Sequence, residues 1–491
     1  MIKSKDKLRK GHIDDDFVRE KTIAGKVDSV LQCKVEVNLE DIFKDIDDGE
    51  QKIVLMEGAP GCGKSTLSLH VCQQWAHGKL FQESKLAILV RLRDLIVQKA
   101  QMVADLLPRQ NDSMGQDIAV EITDNGKGVL FVLDGWDELP KTAPSYSIVL
   151  NLIKGKQFHE CSIIITSRPT SSTILQPLVC SRIEILGFTK VELQKFFHDS
   201  LDNDTKAVDS LLQRIEINPV VEGSCYLPLN ASILVYLFKD GNNVLPITQY
   251  GIFSDLICNC ILRDLKKTKP ESEISEISSL DNLPSEIDSH FLCICKIAYN
   301  GVTNDEVIFT LGPRFKTLGL LQGVESFARH GTAHSYNFLH LSVQEVLAAR
   351  YIARELGENE QTDQFKKLFD NPRFTAVFQF YAAITKLRAP GISEVVVQVA
   401  RSANEARLLS LLHCLYEAQD SSLCHLVVQQ LNSKLNLSYT SLSPADCFSL
   451  GYFITFTKGF NKLHLFSCHI GDDECKALFR EGQVFDLKIL R

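Results

Sequence analysis

The segment from residue 58 to residue 66 has the residue types and spacing of a phosphate-binding loop, G-x-x-x-x-G-K-[ST]. Its nine residues are Gly58, Ala59, Pro60, Gly61, Cys62, Gly63, Lys64, Ser65 and Thr66. Glycines at these positions let successive backbone N–H groups point into one concavity, where they hold phosphate oxygens at a helix N-terminus. Lys64 is expected to neutralise the β- and γ-phosphates, and the Ser65 hydroxyl to ligate Mg²⁺. The alternative is a glycine-rich turn with a solvated lysine.

A second apolar segment, Val129–Asp134, ends in one acidic residue and is followed by two more. A carboxylate at the end of this strand, Asp134, is expected beside the phosphate loop, where it can hold the hydration shell of Mg²⁺. Asp137 and Glu138 come just after it, where an acid can orient or deprotonate an attacking water. The sequence does not decide which of the two would act as the base. A solvated acidic loop after a core strand is the simpler alternative.

A third apolar segment, Ser162–Ser167, is followed directly by Arg168. A cation at the carboxyl edge of a parallel sheet lies near a bound ligand, where it can sense a γ-phosphate. The alternative is an exposed arginine at the end of a strand.

The elements that position these side chains are predicted from short apolar runs rich in Ile, Val and Leu. The runs span 52–58, 86–92, 129–134, 162–167 and 182–186. Separated by helical stretches, they indicate the buried strands of a parallel sheet with helices on both faces. Helical patterns dominate from 187 to about 445, with capping-box signatures at Thr189 and Ser342 that predict helix starts.

Length and composition exclude several classes of protein. The 491 residues predict about three to five domains. The net charge of −8 argues against nucleic acid or anionic lipid as a general partner. The N-terminus lacks the apolar region of a secretory signal, and no apolar run is long enough to span a bilayer. The 15 cysteines form no CxxC pair, so we expect reduced core thiols in a cytoplasmic protein.

In their order and spacing, the three motifs resemble the NACHT module of STAND-type P-loop NTPases, with DGWDE and TSRP as distinguishing spellings. The segments 225–238, 245–257 and 338–353 resemble the helical and winged-helix domains of animal NOD-like receptors. The resemblance implies strand order 2-3-1-4-5. It also implies a polar segment (1–19), a NACHT domain (20–186), a helical domain (187–265), a winged-helix domain (283–355), a second helical domain (356–445) and the start of a leucine-rich repeat (446–491).

The resemblance also implies site residues and a mechanism. Pro228 would pack near the adenine, and His340 would contact the β-phosphate of bound ADP. The implied cofactors are ATP or ADP with Mg²⁺. The implied function is a slowly hydrolysing switch that is closed with ADP and self-associates through its NACHT domain with ATP. Such a switch would act on a protein signalling partner, in innate immune or cell-death signalling, without membrane or nucleic-acid partners.

The sequence departs from the receptor pattern at both ends. About 45 residues precede the phosphate-loop domain, fewer than a death-fold effector domain needs. The pairs Leu463/Leu465 and Leu487/Ile489 suggest a 24-residue repeat, yet one repeat cannot bury its own apolar face. We therefore expect either a truncated chain or a repeat that caps the preceding helices. Two other functions stay open: a substrate-stimulated ATPase, and a non-switching fragment or decoy.

Overall fold

A computed structural model of the chain divides into two compact units, residues 1–187 and 188–491. The residues that it describes are 2–7, 35–36, 38–43, 51–101, 125–168, 171–217, 219–239, 246, 248–267, 274, 277–312, 315–324, 335–355, 369, 371, 374–388, 392–402, 405–431, 434–438, 440, 442, 444–457, 462–466, 468, 470–471, 475–476, 478–479 and 489–490.

The first unit is built on a seven-stranded sheet. In chain order its strands are β1 (Ile2–Lys7), β2 (Val35–Glu36), β3 (Lys52–Gly58), β4 (Leu86–Arg91), β5 (Val129–Asp134), β6 (Ser162–Ser167) and β7 (Ser181–Ile185). Strands β3 to β7 pair in parallel, which confirms the predicted five-stranded parallel sheet.

The predicted strand order 2-3-1-4-5 is wrong. Across the sheet the order is β2-β1-β7-β3-β6-β5-β4, so the five parallel strands run 2-3-4-1-5. Strand β3 lies between β6 and β7, with Leu55 opposite both Ile165 and Arg182. All five strands bury Ile, Val or Leu side chains, and hydrophobicity alone does not specify which neighbour each one takes.

Residues 2–7 join this sheet, although residues 1–19 were predicted to form a polar segment before the NACHT domain. Strand β1 runs antiparallel to β7, and β2 runs antiparallel to β1. The sequence of β1, IKSKDK, is rich in lysine. It lacks the continuous apolar run from which strands β3 to β6 were predicted.

Helices cover both faces of the sheet, as predicted. Helix α1 (Lys64–Ala76) packs on one face, where Val71 is buried and the Trp75 indole donates a hydrogen bond to the Ser84 carbonyl at 2.8 Å. After the short helix α2 (Leu95–Gln98), helix α3 (Pro144–Ile153) buries its apolar side against the opposite face. Both faces of the central strands are therefore buried, which accounts for their continuous apolar sequences.

The second unit is mainly helical. Its helices are α4 (Lys190–Ser200), α5 (Thr205–Ile217), α6 (Pro219–Cys225), α7 (Pro228–Lys239), α8 (Gln249–Leu265), α9 (Ser285–Asn304), α10 (Leu341–Glu355), α11 (Thr375–Thr385), α12 (Ile392–Ser402), α13 (Glu405–Ala418), α14 (Ser421–Gln430) and α15 (Pro444–Thr455). The predicted capping box at the start of α4 is confirmed: the Thr189 N–H donates to Glu192 Oε2 at 2.7 Å, and the Glu192 N–H donates to Thr189 Oγ1 at 3.2 Å.

A small antiparallel sheet lies between helices α9 and α10 in the chain. It contains β8 (Phe309–Thr310), β9 (Leu321–Val324) and β10 (Ser335–Phe338), with β10 in the middle. The predicted cap of α10 is wrong. The helix begins at Leu341, so Ser342 lies within its first turn, and the ring Nδ1 of His340 accepts the Ser342 N–H at 3.0 Å.

Three short parallel strands lie near the C-terminus: β11 (Lys434–Asn436), β12 (Lys462–His464) and β13 (Ile489–Leu490). Leu435 pairs with Leu463, and Leu463 pairs with Leu490, so the strands recur about every 28 residues. The predicted 24-residue spacing is therefore wrong. The repeated pattern also begins earlier than expected, because KLNLS at 434–438 corresponds to KLHLF at 462–466.

Among the described helices, none combines the length and the apolar character that crossing a membrane requires. The cysteines of the described part of the chain are free thiols, and most of them are buried.

Candidate functional site

The phosphate loop connects the carboxyl end of β3 to the first residue of α1, as its sequence predicts. Gly61 and Gly63 have positive φ angles of 78° and 97°, a conformation that side chains disfavour. Gly58 is needed for a different reason, because a Cβ there would lie 2.4 Å from Cys62 Sγ and 2.9 Å from the carbonyl oxygen of Ile185. The loop is therefore packed closely against strand β7.

Lys64, Ser65 and Thr66 form the first turn of α1. The Lys64 ammonium donates hydrogen bonds to the carbonyl oxygens of Gly58 and Ala59, at 2.8 and 2.9 Å. The side chain thus folds back over the loop, where a phosphate bound to the loop would meet it. Ser65 and Thr66 are exposed at the amino end of the helix, where backbone N–H groups and the helix dipole favour anions.

Asp134 ends strand β5, and its carboxylate is buried. Its Oδ1 accepts hydrogen bonds from the Ser68 hydroxyl at 3.1 Å and from the Thr166 hydroxyl at 2.8 Å. Ser68 lies one turn after Lys64 on α1, so these bonds join the helix that follows the phosphate loop to the ends of β5 and β6. The role predicted for Asp134, holding the hydration shell of Mg²⁺, stays a prediction.

Sequence reasoning missed Ser68 and Thr166. Two signals could have found them. Ser68 follows Lys64 by four residues and so faces the same side of α1. Thr166 precedes Arg168 by two residues in the third motif strand. The Thr166 hydroxyl also accepts the Gly135 N–H at 2.9 Å, so it fixes both the carboxylate and the turn after it.

Asp137 and Arg168 lie together at the carboxyl ends of the adjacent strands β5 and β6. The Arg168 side-chain Nε is 3.0 Å from Asp137 Oδ2, and the Arg168 backbone N–H donates to Asp137 Oδ1 at 3.1 Å. Both side chains are largely buried, at 14% and 7% exposure. Each oxygen of Asp137 therefore contacts Arg168, which is a geometry that holds the arginine in place.

Glu138 lies next to Asp137 in a short 3₁₀ turn, Trp136–Glu138, and is only partly exposed. Burial, and next the charge of Asp137, raise the pKa of Glu138 to about 7. Gly135 has a positive φ of 83°, and a Cβ there would lie 3.3 Å from Glu138 Oε2. The glutamate therefore folds against the turn that follows Asp134, and its pKa suits a general base near neutral pH.

The residues at this edge fit a magnesium ion held jointly with a phosphate. Mg²⁺ prefers oxygen ligands and is commonly bound by one or two protein groups plus substrate phosphates. Asp134 and Ser65 supply a carboxylate and a hydroxyl. No cluster of three or more metal-ligating acids, histidines or cysteines occurs among the residues described, so these residues do not form an all-protein cage.

A second buried carboxylate, which sequence reasoning missed, lies immediately before the phosphate loop. Glu57 is the penultimate residue of β3 and has no exposed surface. Its Oε2 accepts a hydrogen bond from Arg182 Nη2 at 2.9 Å, and its Oε1 accepts one from the Ser172 hydroxyl. The sequence signal was an acid at the end of an otherwise apolar strand.

The remaining two predicted site residues belong to the second unit. Pro228 is the first residue of α7, a position that favours proline. His340 precedes α10. Because its Nδ1 accepts the Ser342 N–H, the neutral ring carries its proton on Nε2. Their contacts with a nucleotide stay predictions.

The part of the chain that carries these motifs is similar in sequence to known proteins. Residues 52–204 match the model of the NACHT domain family. The chain is similar to NACHT, LRR and PYD domains-containing protein 1b allele 5 of Mus musculus, with 24% identity covering 81% of this chain and 36% of that protein. Protein NLRC5 of Mus musculus is 22% identical, covering 92% of this chain and 26% of that protein. The chain thus spans about a quarter to a third of the length of these curated relatives.

Among solved structures, a STAND protein with a tetratricopeptide repeat sensor from Pyrococcus horikoshii aligns with 86% of this chain and 61% of its own. The sequence identity is 14% and the TM-score is 0.28. The family match covers the phosphate loop, Asp134, Asp137, Glu138 and Arg168. Residues 52–204 are therefore similar to the NACHT domain, and most of the chain is similar in sequence to proteins such as these two mouse relatives.

Proposed function

We propose that this chain is a nucleotide-controlled signalling switch of the NOD-like receptor type, which binds ATP or ADP with Mg²⁺. The observation that carries the proposal is the convergence of three motifs at one edge of one sheet. The phosphate loop, Asp134 and Arg168 lie at the carboxyl ends of the neighbouring strands β3, β5 and β6. Ligands of open α/β sheets bind at this edge.

In this proposal the loop N–H groups and Lys64 hold the phosphates, while Asp134 and Ser65 hold Mg²⁺, which would neutralise charge on the β- and γ-phosphates. Glu138 removes a proton from the attacking water, and Asp137 fixes Arg168 where it can contact a γ-phosphate. The contacts of Asp137 favour this division of roles, because both of its carboxylate oxygens are already engaged by Arg168.

The switch depends on different affinities of ATP and ADP for two arrangements of the chain. By resemblance to the family, Pro228 packs near the adenine, and His340 donates from Nε2 to the β-phosphate of ADP and favours the closed arrangement. ATP favours self-association through the NACHT domain. A cytoplasmic location and a protein signalling partner belong to the same proposal.

The first test identifies the nucleotide that the purified chain carries, released by denaturation and separated by chromatography. We expect stoichiometric ADP in the wild type and its loss in Lys64→Ala. Losing hydrogen bonds from a charged group costs about tenfold or more in affinity. A chain that retains no nucleotide and rapidly hydrolyses added ATP would instead be a steady ATPase.

The role of His340 needs a control for its position at the start of α10. Serine at this position still caps a helix but does not reach as far as imidazole. We expect both His340→Ala and His340→Ser to release ADP and promote self-association, measured by size-exclusion chromatography with light scattering. If only the alanine variant changes, His340 is a helix cap and the proposed ADP contact is wrong.

A further inference from the structure

The segment that carries Arg168 is attached to the protein at two points. Its first residue, Arg168, is bound to Asp137 through both its side chain and its backbone N–H. Four residues later, the buried Ser172 donates its hydroxyl proton to Glu57. Between these points the Ser171 N–H donates a hydrogen bond to the Arg168 carbonyl oxygen at 3.1 Å.

The second attachment is directly next to the phosphate loop. Glu57 is bonded covalently to Gly58, and the Gly58 carbonyl accepts the Lys64 ammonium at 2.8 Å. Arg182 of β7 holds the other oxygen of Glu57. The carboxylate is therefore shared between the strand that supports the loop and the segment that follows Arg168.

Burial makes this arrangement rigid. Glu57 and Ser172 have no exposed surface, and the ion pair with Arg182 balances the buried charge. A buried carboxylate that lost a partner would be incompletely compensated, so displacement of either end is unfavourable. Movement of the Arg168 segment is thus linked to movement of the peptide that begins the phosphate loop.

We propose that Glu57, acting through Ser172, is a positioning residue that sets Arg168 relative to the phosphate loop and so determines the preference of the site for triphosphate over diphosphate. This inference rests on the proposed function, because it assigns Arg168 to the γ-phosphate. Glu57 itself contacts no phosphate in this scheme. Its role is to keep Arg168 and Lys64 in a fixed relationship.

The test uses the full chain, emptied of nucleotide, and isothermal titration with ADP and with a non-hydrolysable ATP analogue. Ser172→Ala removes one hydrogen bond to Glu57 and leaves the ion pair with Arg182. We expect about a threefold to tenfold weaker affinity for the analogue and a change below about twofold for ADP. Ser171→Ala, one residue earlier, is the matched control and should change neither.

A double variant separates positioning from a general structural role. If Ser172 acts through Arg168, adding Ser172→Ala to Arg168→Ala changes the ratio of the two affinities no further. The inference is overturned if Ser172→Ala leaves the ratio of the two affinities unchanged, including the case in which binding of both nucleotides weakens equally. It is also overturned if the effects of Ser172→Ala and Arg168→Ala on that ratio are additive. Glu57→Gln, which weakens the ion pair but keeps an acceptor for Ser172, gives a second variant if melting curves show that Ser172→Ala is unfolded.

The two proposals fail in different ways. Wild-type binding that persists in Lys64→Ala would disprove the phosphate-loop function itself. Binding that Lys64→Ala abolishes, together with a wild-type affinity ratio in Ser172→Ala, would disprove the role of Glu57 alone.

Discussion

Both oxygens of the Asp137 carboxylate contact Arg168, one at the guanidinium Nε (3.0 Å) and one at the backbone N–H (3.1 Å). The adjacent Glu138 instead has a pKa raised to about 7, chiefly by burial. The two neighbouring acids thus have different environments. This difference supports assigning Asp137 to Arg168 and Glu138 to the attacking water, a choice that the sequence alone left open.

We predict that Glu138→Gln abolishes nucleotide hydrolysis while leaving nucleotide binding intact. Loss of a general base costs about a hundredfold or more in rate. The wild-type rate should rise with pH through about 7, because the base acts as the carboxylate. Single-turnover rates from pH 5.5 to 8.5 test this prediction. Asp137→Asn is the comparison: it should weaken binding of the triphosphate analogue and retain the pH profile.

Removing a hydroxyl that holds Asp134 should change how nucleotide binding depends on magnesium. Thr166→Val keeps the shape of the side chain but removes the bonds to Asp134 and Gly135, and Ser68→Ala removes the bond from α1. We expect each variant to need about threefold to tenfold more Mg²⁺ for half-maximal binding of an ATP analogue. Ser147→Ala, on the exposed side of α3, should behave as wild type. An unchanged magnesium dependence in Thr166→Val would show that Asp134 does not depend on these hydroxyls.

Gly58→Ala should disrupt the phosphate loop. The added Cβ meets Cys62 Sγ and the Ile185 carbonyl, and backbone cannot move aside as a flexible side chain can. We expect about 1–3 kcal/mol of destabilisation, as for other overpacked sites, together with weaker nucleotide binding. Gly323→Ala is the control, because a Cβ there meets nothing within 4 Å. Thermal melts and nucleotide titrations measure the two effects.

Glu417 provides a prediction for the pH dependence of stability in the second unit. Its carboxylate is buried and accepts the N–H groups of Gln249 and Tyr250 at the start of α8, at 3.0 and 3.2 Å. Burial is the main cause that raises its pKa from 4.5 to about 6. The folded state therefore holds this proton more tightly than the unfolded state does.

A carboxyl with a raised pKa contributes stability that is fully present below about pH 4.5 and is lost as pH rises through about 6. The size of this contribution is about 2 kcal/mol. Glu417→Gln keeps an acceptor but cannot ionise. Its free energy of unfolding relative to wild type should therefore increase between pH 4 and pH 7, measured by urea titration. A constant difference between the two proteins across this range would contradict the prediction.

The sequence predicted the parallel sheet and the phosphate loop because each has a strong local signal. The same holds for the positions of Asp134, Asp137 and Arg168 at the carboxyl ends of their strands. An apolar strand ending in a glycine-rich turn or a charged residue indicates both its fold and its place at the carboxyl edge. The strand order had no such signal, since β3 to β7 all bury Ile, Val or Leu side chains. The residues that support the site were missed for a related reason.

The missed residues support the site only through hydrogen bonds to partners distant in the chain; they are Ser68, Thr166, Ser172 and Glu57. The separation of Glu57 from Ser172 is 115 residues, and that of Ser68 from Asp134 is 66. A serine or threonine inside a helix or strand has no distinctive local pattern. For His340 the family resemblance predicts a contact with a phosphate, whereas its hydrogen bond with the Ser342 N–H depends on the backbone geometry at the start of α10.

Strand β3 is hydrogen-bonded on both sides by parallel partners, β6 and β7, while β4 lies at one margin of the sheet. Opening β3 requires two ladders to break together, so its amides should exchange with solvent deuterium more slowly than those of β4. The phosphate loop is attached to this slowly opening strand. Bound nucleotide should therefore leave by dissociating from an intact loop, and its lifetime should depend little on urea concentrations too low to unfold the sheet.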